Sequence, residues 1–119
     1  MVTRSTGFGP TAATADTETT IGSKYSFPGS GKIAKIRVAG YNGVTDKATS
    51  AILFLYFKRL AGPFEFACYG AGEEITVGGK RATEVIECDI PYVVGEEVTV
   101  KVKAAEALEE VTVSLTLVE

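Results

Sequence analysis

The stretch EEVTVKVKAAEALEEVTVSLTLVE, residues 96–119, writes the pattern of a β-strand twice. Val98, Val100 and Val102 alternate with Thr99, Lys101 and Lys103; Val111, Val113, Leu115 and Leu117 alternate with Thr112, Ser114 and Thr116. Successive side chains of a strand point to opposite faces, so a period of two marks strands with one face in a core and one in water. Between them, residues 104–110 have helical composition but only two turns' length, too little to hold a helix alone. A loop or a single helical turn is expected there.

Working outward, the same period recurs back to Thr19. Ile86, Cys88 and Ile90 oppose Glu87 and Asp89, and Ile75 and Val77 mark a short strand. Phe64, Phe66 and Cys68 oppose Glu65 and Ala67, and residues 51–59 form a third strand. Ala34, Ile36 and Val38 oppose Lys35 and Arg37, and Ile21, Tyr25 and Phe27 oppose Gly22, Lys24 and Ser26. Turn residues punctuate the runs: Pro28-Gly29-Ser30-Gly31, Asn42-Gly43, Gly62-Pro63, Gly70 with Gly72, Gly78-Gly79, and Pro91 with Gly95. Eight strands with such turns predict an all-β, antiparallel β-sandwich over residues 19–119. The expected arrangement is a jelly roll, two four-stranded sheets about 10 Å apart. A seven-stranded immunoglobulin-like sandwich is the alternative if 75–77 is loop.

Residues 1–18 lack this period. Seven of the first twenty residues are Thr, and Phe8 lies between Gly7 and Gly9. The expectation is an extended N-terminal arm, either frayed or ordered against a neighbouring subunit with Phe8 as an anchor. Its charges are Arg4, Asp16 and Glu18, so it is not a basic nucleic-acid-binding tail.

Composition narrows the function. The chain has 119 residues, 45% of them hydrophobic, and a net charge of −3, which fits one folded domain and disfavours general binding to nucleic acid. No apolar run approaches the ~18 residues of a membrane span. The N-terminal residues lack the basic and apolar regions of a signal peptide. There is no Gln, and Asn42 is the sole Asn; with many Glu and Lys, this is a compositional mark of thermophile proteins.

Histidine is absent, which removes the usual Ser/His and Cys/His pairs. Glu87 and Asp89, two apart on one strand face, are the remaining candidate acid–base pair, with a solvated outer face as the bland account. Glu73-Glu74, Asp89 and Glu96-Glu97 offer oxygen ligands without any recognised Ca²⁺ loop spacing. Gly29-Ser30-Gly31-Lys32 lacks the earlier glycine, the following Ser or Thr and the helix of a phosphate-binding loop. No catalytic residues, metal or cofactor are expected. Cys68 and Cys88 sit on inward phases, either as two buried thiols or as a disulfide closing a loop of about 20 residues, worth ~3 kcal/mol.

Two surface features remain. The third strand has no polar face: Leu53, Leu55 and Phe57 point one way, Ile52, Phe54 and Tyr56 the other. Either a loop or another subunit covers the second face, and a homo-oligomer is expected. Lys35, Arg37, Lys101 and Lys103 occupy outward phases, and counting strands from Thr19 makes them one basic stripe. That stripe is either solvated or faces acidic residues or a polyanion.

The Thr/Ala/Gly-rich arm, eight short strands, tight glycine loops and a chain ending on its last strand resemble the small single-jelly-roll structural subunits of virus particles. The resemblance spans the whole chain and rests on architecture, with no diagnostic motif. It implies a non-catalytic structural protein that self-assembles through its body and arm, in a virion or extracellular assembly, with other structural subunits as further partners. The non-basic arm departs from many such subunits and points to subunit contact in place of genome contact. The alternative is a carbohydrate-binding β-sandwich module using Tyr41, Tyr69 and Tyr92, although no Trp is present. A small hydrolase using Glu87 and Asp89 ranks third.

Overall fold

The computed structural model describes residues 2–41, 49–58, 65–69, 74–77 and 83–119. Its strands are β1 (Thr3–Ala13), β2 (Thr19–Thr20), β3 (Tyr25–Ser26), β4 (Gly31–Tyr41), β5 (Thr49–Lys58), β6 (Glu65–Tyr69), β7 (Glu74–Val77), β8 (Thr83–Tyr92), β9 (Glu97–Ala104) and β10 (Leu108–Val118). There is no helix among the described residues; residues 105–107 are a bend between β9 and β10. One sheet runs β1-β10-β4-β8, the other β2-β9-β5-β6, with β3 also on β9 and β7 also on β5. Every pairing is antiparallel, and the molecule is a β-sandwich.

Four of the elements are fragments of two strands. β2 and β3 lie end to end along β9, Thr19 opposite Val102 and Tyr25 opposite Val98. β6 and β7 lie end to end along β5, Tyr69 opposite Leu55 and Val77 opposite Thr49. The pairings then nest: β1 with β10, β2/β3 with β9, β4 with β8, and β5 with β6/β7. The chain runs out and returns along itself, wrapped between two layers.

The core is built by the alternation seen in the sequence. Val98, Val100 and Val102 of β9, Val111, Val113, Leu115 and Leu117 of β10, and Leu53, Leu55 and Phe57 of β5 are all fully buried. Each such side chain contributes on the order of 2 kcal/mol of burial. β4 departs from the expected phase. Ile33, Ile36 and Val38 are buried while Ala34 is not, and the register against β10 shifts, Lys35 standing opposite Thr116 and Ile33 opposite Leu117. A bulge here adds one residue and exchanges the faces, so Ile33 takes the inward place expected of Ala34.

The expected arm is also corrected. Residues 3–13 are β1, paired with β10 from Thr3 opposite Val118 to Ala13 opposite Leu108. Phe8 and Ala13 are buried in their own chain's core, so Phe8 is not an intersubunit anchor. Phe8 packs edge-on to Tyr25, ring centroids 6.4 Å apart. An edge strand needs few inward apolar side chains, because the ladder to β10 satisfies its backbone. Gly9 and Gly22, at φ 93° and 69°, let the chain after β2 pass against β1; a Cβ on Gly22 would lie 2.6 Å from the Gly9 nitrogen. Downstream, the Asp16 amide donates to the Ala104 carbonyl at 2.7 Å, fixing the turn into β2.

Candidate functional site

β5 lies between β9 and β6/β7, which places its outward row at the middle of a sheet. Ile52, Phe54 and Tyr56 occupy that row, each half-buried within the single chain. Their neighbours on β9 are Lys103, Lys101 and Thr99 respectively. The Phe54 and Tyr56 rings stack with centroids 5.9 Å apart and planes 28° apart. The Lys101 ammonium sits 4.9 Å from the Tyr56 ring centroid, a cation–π contact worth about 0.5–1 kcal/mol at such a site.

The Tyr56 hydroxyl donates a hydrogen bond to the Glu18 carboxylate. That bond, then burial and the Glu18 charge, push Tyr56 up to about 12, so it remains a donor through the neutral range. Thr99 is buried beside it although it faces outward. The result is a ring pair fixed from two sides, by a carboxylate at the hydroxyl and a cation over the face. Chemically, this surface offers large apolar area whose ordering cost on binding is already met, framed by Lys101 and Lys103.

The expected basic stripe does not form. Lys35 and Arg37 lie on β4 of one sheet, Lys101 and Lys103 on β9 of the other. β1 is the first strand of the sandwich, which puts β4 in the layer opposite β9. Lys35 is instead in register with Glu87 of β8, and Lys32 pairs with Asp89 at 3.3 Å. Glu87 and Asp89 are both exposed on the outer face of this edge strand.

Tyr92, expected near a loop, is core. Its ring stacks on Phe27 with centroids 4.0 Å apart, and its hydroxyl donates to Glu119 Oε2 at 3.0 Å. Arg4 Nε donates to Glu119 Oε1 at 2.8 Å. Burial first, then the Glu119 hydrogen bond, pushes Tyr92 up to about 12. Gly31 admits the chain end, since a Cβ there would lie 2.3 Å from the Val118 carbonyl oxygen. This junction of the two chain ends with β8 was missed in the sequence, where only the β1–β10 pairing makes it visible. The side chains of Tyr41 and Tyr69 lie outside the described residues.

Cys88 is a free, half-buried thiol that donates to the Ile33 carbonyl at 3.3 Å. Burial, and then the Asp89 charge, push it up, away from the reactive thiolate. Cys68 belongs to β6 of the other sheet, and its side chain lies outside the described residues. Glu96 is buried and accepts from the Val93 amide at 2.7 Å, closing the turn before β9, and Glu97 faces Lys58 at 3.8 Å. Glu73 lies outside the described residues, and among those described no three His, Cys, Asp or Glu gather as a metal site. No helix among them is long and apolar enough to cross a membrane. Neither a protein-family model nor a curated protein matches the chain.

Proposed function

We propose that this protein is a non-catalytic structural subunit that self-associates through the outer face of the β5–β9 sheet, with Ile52, Phe54 and Tyr56 at the centre of the contact. The observation that carries this reading is the fixed, half-buried Phe54–Tyr56 pair on a face that an isolated sandwich would leave to water. Aromatic side chains at the middle of a contact supply most of its energy, with polar groups at the rim. Lys101, Lys103 and Glu18 surround the rings in that manner.

The sandwich itself is proposed to be a jelly roll. The nested pairing supports this, since a single antiparallel hairpin wrapped over two layers gives four strands per sheet once β2/β3 and β6/β7 are each taken as one. On that architecture rests the likeness to capsid-like subunits. The test is the solution mass of the intact chain by light scattering over a range of concentrations. A defined oligomer supports the proposal. A monomer throughout, or a monomer whose Tyr56 and Phe54 resonances move on adding oligosaccharides, favours the carbohydrate-binding module instead.

A further inference from the structure

We infer that the open edge of β1 is a second self-association surface, which pairs antiparallel with β1 of another copy about a two-fold axis centred on Ser5. The surface is distinct from the β5 face, lies on the other sheet, and does not depend on the function proposed above. Val2 and Glu119 exchange both hydrogen bonds, each 2.8 Å long. Hydrogen-bonded and non-bonded pairs alternate along an antiparallel ladder. Arg4 opposite Leu117, Thr6 opposite Leu115 and Phe8 opposite Val113 are therefore the bonded pairs. The N–H and C=O groups of Thr3, Ser5 and Gly7 point the other way, where β1 has no strand neighbour among the described residues.

Four features fit this edge to its own copy. The register from Thr3 to Phe8 is unbroken, whereas bulges between Phe8 and Ala13 and the missing N–H of Pro10 end it beyond. Thr3, Ser5 and Gly7 are exposed, and nothing lies within 4 Å of a Cβ built on Gly7. The one charge in the segment, Arg4, is paired to Glu119 of its own chain, so the dyad brings no unpaired like charges together. Ser5 then faces Ser5 and Thr3 faces Gly7, with about six hydrogen bonds across the axis. Two other edges fit less well. β8 carries Glu84, Glu87 and Asp89, and the β2/β3 edge is broken into two-residue pieces. With the β5 face, two separate contacts per chain extend an assembly beyond a closed dimer.

The test compares Ser5→Pro with Thr6→Pro in the full chain. Proline is tolerated on an edge where its lost N–H faces solvent. Ser5→Pro should keep the wild-type melting temperature within a few degrees, while its association midpoint rises about tenfold or more in concentration, since two hydrogen bonds are lost across the axis. Thr6→Pro removes a bond to β10 and should destabilise the fold. In wild type, amide exchange at Ser5 and Gly7 should slow on assembly, while Thr6 and Phe8 are slow throughout. Unchanged association of Ser5→Pro, or fast exchange at Ser5 and Gly7 in the assembled state, overturns the β1 contact and leaves the β5 face standing. Protection that arises only on adding a different polypeptide overturns self-pairing in favour of a foreign strand. A chain that stays monomeric overturns both contacts.

Discussion

The two outer faces of the sandwich follow one rule of alternation and come out unlike. On the β1-β10-β4-β8 sheet, the outward row of β10 is Thr112, Ser114 and Thr116, with Lys35 and Arg37 beside it on β4 and Glu87 and Asp89 beyond them on β8. On the other sheet, the central strand turns Ile52, Phe54 and Tyr56 outward. Strand propensity alone asks for neither composition, because β-branched and aromatic residues serve on both kinds of face. The first face holds small hydroxyls and balanced charges, which water solvates at little cost. The second holds rings that water solvates poorly and that are already held in place. On this difference rests the proposal that the second face is a contact surface.

An inward ring of β5 responds to truncation most strongly. Phe57, on the same strand but turned inward against Phe27, should cost about 3–5 kcal/mol when replaced by Ala, measured by urea unfolding. A loss this large sets the scale for a residue that truly belongs to the core. Alkaline pH comes next. Tyr92 and Tyr56 hold folded values of about 12, above the ordinary value of 10.0. The unfolded chain releases these protons first, so stability is complete below pH ~10 and falls as pH rises toward about 12. For buried Tyr92 the loss is on the order of 2 kcal/mol, and Tyr92→Phe should flatten the decline in thermal melts. Smallest is the solvated face. Thr112→Lys, on an exposed position, should change stability by no more than about 0.5 kcal/mol and leave the solution mass alone.

The inward rows of β5, β9 and β10 were legible because their apolar and polar residues alternate without ambiguity. β4 was not, since Ile33 and Ala34 are both apolar and either phase satisfies the pattern; only the ladder to β10 reveals the bulge. β1 was hidden for a different reason. It is an edge strand of Thr, Gly and Pro that buries only Phe8 and Ala13, too few for a periodic signal. Omitting it shifted the strand count, and the four-residue basic stripe followed from that shift. The outward apolar row of β5 was readable because a strand with no polar side is rare. Its fixing by Glu18 and Lys101 was not, because those partners come from elements 38 and 45 residues away in sequence, counting Glu18 to Tyr56 and Tyr56 to Lys101.

The β5 face is proposed to be a contact surface and not part of the core. Phe54→Glu tests it most directly, because a carboxylate there stands in register with Lys101 and keeps the sheet compatible with folding. Sedimentation velocity and a thermal melt on the same sample give both readouts. Loss of the β5 contact gives a mass no larger than that of a β1-paired dimer, with the melting temperature within a few degrees of wild type. A variant that unfolds as Phe57→Ala does, or one that keeps the wild-type mass while folded, contradicts it.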